Sequence, residues 1–187
     1  MTIEPTTESC IEAPTEPLLH VVLHEPEIPP NTGTIGRMCV GFGLRLHLIQ
    51  PLGFDLDEKA LRRAGLDYWP RLDWRLHDDW AAYEASTPGA RRWWFTTRAG
   101  ASVFETEFQS GDHLVFGKET VGLPASIVAQ AGDRARRIPL RTGERSLNLA
   151  CAASIACAEA IRRCLVRGEA EIDAQGCLRG TTLPRAT

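Results

Sequence analysis

The chain has 187 residues, of which 43% are hydrophobic and 24% charged, the makeup of one soluble domain with its own core. No apolar run approaches the ~20 residues needed to span a bilayer, and a formal net charge of −3 excludes a uniformly basic nucleic-acid binder. The charge is unevenly placed: residues 1–17 hold Glu4, Glu8, Glu12 and Glu16 and no Lys or Arg.

Residues 1–17 are rich in Pro, Thr and Glu and read as a disordered acidic extension. They lack the positive and apolar regions of a secretory signal, so the expected location is cytoplasmic, with no membrane partner. A single domain is expected over 18–167 and a polar tail over 168–187. Residues 18–23 read as a buried parallel strand. The proline-rich run 25–30 reads as a rigid loop, followed by a helix from Asn31 through Arg37 to about Val40, ended by Gly41 and Gly43. Residues 44–49 form a second expected strand. A short helix over 57–64 carries Arg62 and Arg63 in its last turn. A strand at 72–76, a helix at 78–85, and strands at 93–97 and 113–116 follow. A helix at 124–130 with Pro124 near its first position, a last strand at 134–140, and a helix of small residues to about Arg167 complete the domain. Strands alternate with helices throughout. That is an α/β fold with a mostly parallel sheet and helices on both faces, and such sheets bind ligands beyond the carboxyl ends of their strands.

Six cysteines, Cys10, Cys39, Cys151, Cys157, Cys164 and Cys177, form no C-x-x-C pair and read as reduced core thiols, three of them in the last helix. Arginine is clustered at 62–63, at 91–92 and over 134–145, which offers local positive patches despite the acidic total.

Three stretches carry unusual residues. Pro29-Pro30-Asn31-Thr32-Gly33-Thr34-Ile35-Gly36-Arg37 lacks both the G-x-G-x-x-G spacing of a dehydrogenase and a phosphate-loop lysine; Asn31 and Thr32 also suit helix capping. Phe116-Gly117-Lys118-Glu119-Thr120-Val121-Gly122-Leu123-Pro124 follows a strand, with glycines placed for close backbone approach. Ile138-Pro139-Leu140 leads through Arg145-Ser146-Leu147-Asn148-Leu149 into the small-residue helix, which Ser146 is placed to cap. His20-x-x-x-His24-Glu25 sits on or beside a strand and has no evident third ligand, so no metal is expected.

These three stretches, together with His24-Glu25-Pro26-Glu27-Ile28-Pro29-Pro30 and Leu61-Arg62-Arg63-Ala64-Gly65-Leu66-Asp67-Tyr68, resemble the SPOUT superfamily of RNA methyltransferases. The likeness is to its small bacterial tRNA ribose 2′-O-methyltransferases acting at the wobble position (cytidine or modified uridine 34). The resemblance runs from about Leu19 to Arg163. It implies a deep C-terminal trefoil knot, S-adenosylmethionine as methyl donor, a homodimer, and the tRNA anticodon region rather than DNA as partner. It maps cofactor binding onto Phe95, Thr96, Thr97, Gly117, Lys118, Glu119, Leu123, Ile138, Leu140, Ser146 and Leu147. It maps catalysis onto Arg37, Glu119, Ser146 and Asn148, with Glu119 orienting Arg37, and RNA contact is expected from Asn31, Arg37, Arg62, Arg63, Arg141 and Arg145. Lys118, where the family often has proline, and Thr142-Gly143-Glu144 depart from the pattern. Other readings are methylation of another RNA such as ribosomal RNA, and a non-catalytic RNA-binding protein retaining the fold.

Overall fold

The computed structural model describes residues 16–55 and 67–180. The extension before Glu16 and the expected helix at 57–64, with Arg62 and Arg63, lie outside the described residues. Six parallel strands form the main sheet: β1 (His20–His24), β2 (Arg45–Ile49), β3 (Trp74–His77), β4 (Arg92–Phe95), β5 (His113–Phe116) and β6 (Ala135–Arg136). Their order is β3-β2-β1-β5-β4-β6, with β1 and β5 central.

The central strands β1 and β5 are buried at every position because both sheet faces are covered. Val21 and Leu23 of β1, Leu46 and Leu48 of β2, and Leu114 and Phe116 of β5 point to one core. That core is shared with helices α1 (Pro29–Phe42) and α4 (Leu149–Val166). Val22, Ile49, Trp94 and Val115 point to the other face. They meet Tyr83 of α2 (Trp80–Ser86) and Ile127 of α3 (Ala125–Val128). Ala153, Ala156 and Ala160 of α4 are fully buried, and their short side chains let α4 lie close to α1 and the sheet.

Several boundaries differ from expectation. Helix α1 starts at Pro29, not Asn31, because first-turn amides have no intrahelical acceptor and proline there forfeits nothing. It runs through Gly41 and stops at Gly43, whose φ of 66° is the left-handed conformation of a helix end. Asn31 and Thr32 are therefore inside the helix rather than capping it. Strand β6 is two residues long instead of seven: β4 ends at Phe95, so beyond Arg136 only a bridge from Arg137 to Ser102 remains. After α3, residues Ala129–Arg134 continue as 3-10 turns. The expected polar tail contains an antiparallel hairpin, β7 (Ala170–Ile172) and β8 (Leu178–Gly180). Its turn is set by the Asp173 carboxylate, which accepts from the amides of Gln175 and Cys177, and by Gly176 at φ 81°. Cys39, Cys157 and Cys164 are buried free thiols, whereas Cys151 and Cys177 are exposed. Cys10 lies outside the described residues. No described helix is long and apolar enough to cross a membrane.

Candidate active site

A cavity of about 770 Å³ opens beyond the carboxyl ends of β4 and β5, where a parallel sheet places its ligands. Three chain segments converge there. Thr96 and Thr97 follow directly on β4. Residues 117–123 follow β5 and double back on themselves: the Gly122 amide donates to the Lys118 carbonyl at 2.9 Å, with Gly122 at φ 74°. A Cβ on Gly117 would overlap the backbone of Gly122 and Leu123, so only glycine permits this closure. The third segment, 136–149, is mostly irregular and exposed until it enters α4.

The closed loop after β5 is clasped to the segment preceding α1. Lys118 Nζ lies 2.6 Å from Glu25, and Thr120 Oγ1 donates to Glu27 at 2.7 Å. The hydrogen bond to Glu25 pushes the Lys118 pKa up, so the ammonium is fully charged at neutral pH. The departure from proline at Lys118 thus supplies an ion pair. Glu119 accepts from the amides of Glu27 (2.9 Å) and Ile28 (3.3 Å) and from the Asn31 side-chain amide (2.9 Å). Asn31 Oδ1 in turn accepts from Asn148 Nδ2 at 2.9 Å. Asn148 Oδ1 accepts from the amides of Ala150 and Cys151, which caps α4. The residue expected to cap this helix, Ser146, is two positions too early and stays exposed in the loop. Each asparagine is used as donor and acceptor at once, which neither an ionised Asp nor Leu can reproduce.

All eleven residues mapped to cofactor binding line this one cavity: Phe95, Thr96, Thr97, Gly117, Lys118, Glu119, Leu123, Ile138, Leu140, Ser146 and Leu147. Asn31, Asn148 and Arg145 line it too. Asn31, expected on the RNA, is 7% exposed, and both ends of its side-chain amide are bonded within the chain, to Glu119 and Asn148. Arg37 and Glu119 do not meet within one chain. Arg37 is 65% exposed, lies 3.3 Å from Asp67 and stacks over the Tyr68 ring at 4.7 Å. Arg141 and Arg145 are exposed and make no side-chain hydrogen bond among the described residues. The cluster at 91–92 is not a free patch: Arg91 grips the buried Asp112 with two bonds (2.5 and 2.7 Å), and Arg92 donates to Thr87. Sequence reasoning missed Ile28, Arg98 and Arg137 as lining residues. Arg98 was findable, since it sits three residues past the end of β4, where strand-end ligands are held.

A parallel sheet with a cavity at its carboxyl edge, lined in part by Arg98, Arg137 and Arg145, is the layout of an α/β ligand-binding protein. The chain belongs to the SpoU rRNA Methylase family, whose model matches residues 18–158. It is 46% identical over 157 residues to a tRNA (cytidine(34)-2'-O)-methyltransferase of Burkholderia ambifaria, covering 82% of this chain and all of that one. A solved structure described as giving insights into the 2-OH methylation of C/U34 on tRNA is 47% identical. It matches with a TM-score of 0.74 over 80% of this chain and 97% of its own. An AdoMet-bound rRNA methyltransferase from Sinorhizobium meliloti is 25% identical, with a TM-score of 0.68 over 80% of this chain and 57% of its own.

Proposed function

We propose that this chain is an enzyme that transfers a methyl group from S-adenosylmethionine to the ribose 2′-hydroxyl of the tRNA wobble nucleotide, cytidine or modified uridine 34. The observation that carries this reading is the convergence of all eleven expected cofactor residues on one strand-end cavity. The cavity is within the range of a nucleoside-sized ligand, and its walls offer apolar contacts from Phe95, Leu123, Ile138 and Leu140 together with loop backbone. The names of the 46–47% identical proteins support the substrate.

The cofactor supplies an activated methyl carbon on a sulfonium, a leaving group that needs no acid. The protein's work is therefore alignment and removal of the hydroxyl proton. The Glu119–Asn31–Asn148 chain holds the cofactor loop, the start of α1 and the start of α4 in one register. Arg98, Arg137 and Arg145 provide cations around the mouth for RNA phosphates. The Arg37 guanidinium offers a planar fork that matches a phosphate. It acts as a clamp on the target phosphate that favours the alkoxide, with the phosphate or a water accepting the proton. Arg37 lies outside its own chain's cavity, which supports a homodimer in which it serves a second copy's site. The residues after β5 are proposed to thread as the family's deep trefoil knot, and the protein is proposed to work in the cytoplasm.

Nucleoside mass spectrometry of tRNA and rRNA from cells with and without the gene tests the reading. Loss of one ribose methyl at the tRNA wobble position is expected. Unchanged tRNA with a methyl lost from rRNA would move the substrate, and no affinity for S-adenosylmethionine by calorimetry would leave a non-catalytic RNA binder.

A further inference from the structure

Arg37, the cation assigned to the target phosphate, does not stand alone on α1. Its guanidinium carbon lies 4.7 Å from the centre of the Tyr68 ring, and its Nη2 lies 3.3 Å from Asp67. Both members of that ion pair are largely exposed, and a pair so open to water fixes little. Tyr68 is of another kind. It is 2% exposed and directly precedes the 3-10 turn Trp69–Arg71, where Trp69 and the following Leu72 are buried as well.

Two features lock the ring in place. Gly36 lets the turn close on the helix: a Cβ there would stand 3.2 Å from Leu72, 3.3 Å from Trp69 and 3.4 Å from Tyr68, tighter than ordinary contact. The Tyr68 hydroxyl donates to the Gly33 carbonyl. In an α-helix that carbonyl also accepts from the amide four residues on, which is that of Arg37. Tyr68 therefore holds the backbone from which Arg37 springs as well as the face of its guanidinium. Burial pushes the Tyr68 hydroxyl above its ordinary range, so it remains a donor well above neutral pH.

We propose that Tyr68 is a positioning residue for methyl transfer: its anchored ring fixes the plane of the Arg37 guanidinium so that the fork of N–H groups meets the target phosphate edge-on. This role rests on the reading of Arg37 as the phosphate clamp. A guanidinium binds phosphate through two parallel N–H bonds in its own plane, so tilting that plane loses the pair even when the charge stays nearby. An aromatic face suits the task because it attracts the cation without using any of its five donors. Asp67 engages Nη2 and leaves Nη1 and Nε without a side-chain partner among the described residues. Its exposure lets a phosphate with two acceptor oxygens displace it. Tyr68 does not line the methyl-transfer cavity, so its effect on the reaction passes through Arg37 and not through the cofactor.

The test reads single-turnover methylation by the full-length protein at saturating S-adenosylmethionine, on whichever RNA the wild type methylates. Tyr68→Phe keeps the ring and should stay within about threefold of wild type, whereas Tyr68→Leu removes it and should slow methylation roughly 10–100-fold. Calorimetry should find S-adenosylmethionine affinity unchanged in both, which a general loosening of the fold would not leave intact. In an Arg37→Ala background, Tyr68→Leu should slow nothing further. Nitrogen-15 NMR of the wild type reads the stack directly. The Arg37 side-chain N–H signal, assigned by its loss in Arg37→Lys, should be shifted upfield by the ring, and that result stands even where Tyr68→Leu misfolds. A wild-type rate in folded Tyr68→Leu, an equal slowing in the Arg37→Ala background, or an unshifted Arg37 signal overturns the proposal while leaving the methyltransferase reading in place. A wild type that methylates no RNA overturns that reading, and this role with it.

Discussion

Asn31→Asp places a carboxylate where Asn31 Nδ2 now donates to Glu119 at 2.9 Å. Two charges at that distance repel by about 6 kcal/mol at an effective dielectric of about 20. Taking up a proton on an ordinary carboxyl at pH 7 costs less, about 4 kcal/mol. The folded variant therefore takes the proton, and the new O–H···O bond replaces the lost amide bond. The expected destabilisation is about 3–4 kcal/mol at pH 7, falling by about 1.4 kcal/mol for each pH unit down to about pH 5. The sign follows from proton counts: folded Asn31→Asp holds one more proton than its unfolded chain, so raising the pH favours unfolding. Asn31→Ala removes the same donor without adding charge and should cost about 1.5–3 kcal/mol at every pH. Urea denaturation of both variants and wild type at pH 5, 6 and 7 distinguishes them. A pH-independent Asn31→Asp penalty, or one no larger than that of Asn31→Ala at pH 7, would refute the bridging role of Asn31.

Three further outcomes are expected. Arg37→Lys should leave stability within about 1 kcal/mol of wild type, because its ion pair with Asp67 is exposed. The same change should lower single-turnover methylation by roughly 10²–10³-fold, since a lysine lacks the planar fork; a near-normal rate in Arg37→Ala would remove the clamp. Gly117→Ala drives a methyl into the backbone of Gly122 and Leu123, so the loop must open; calorimetry should find S-adenosylmethionine affinity lost while circular dichroism stays native. Burial pushes the thiols of Cys157 and Cys164 up to about 12 and that of Cys39 well above its usual value. At pH 7 a native-state thiol reagent should label Cys151 and Cys177 but reach these three only on unfolding, as peptide mass spectrometry would show.

Much of the fold is legible in the sequence because its signals are local. Apolar runs without polar alternation, such as Leu114-Val115-Phe116, require cover on both faces, which suits parallel strands with helices between them. Asp79 before α2 and Gly43 after α1 mark helix ends by side-chain and backbone chemistry that needs no distant partner. Where the reading slipped, a neighbour decided. Strand β6 is short because its partner β4 stops, and Asn148 rather than Ser146 caps α4 because it is the residue adjoining the helix.

The identity of the cavity-lining residues was carried by motifs, each within about ten residues of chain. Their mutual chemistry was not. Asn31 meets Glu119 and Asn148 across 88 and 117 residues, and Tyr68 reaches Gly33 across 35. No periodicity or spacing encodes such contacts, since hydrogen-bond geometry is fixed to tenths of an ångström by how distant strands pack. The sequence by itself determined the layers, the helix ends and which loops carry polar function. The tertiary structure decided which side chain answers which: it turned Asn31 inward, left Arg37 outside its own chain's cavity, and set it over the Tyr68 ring.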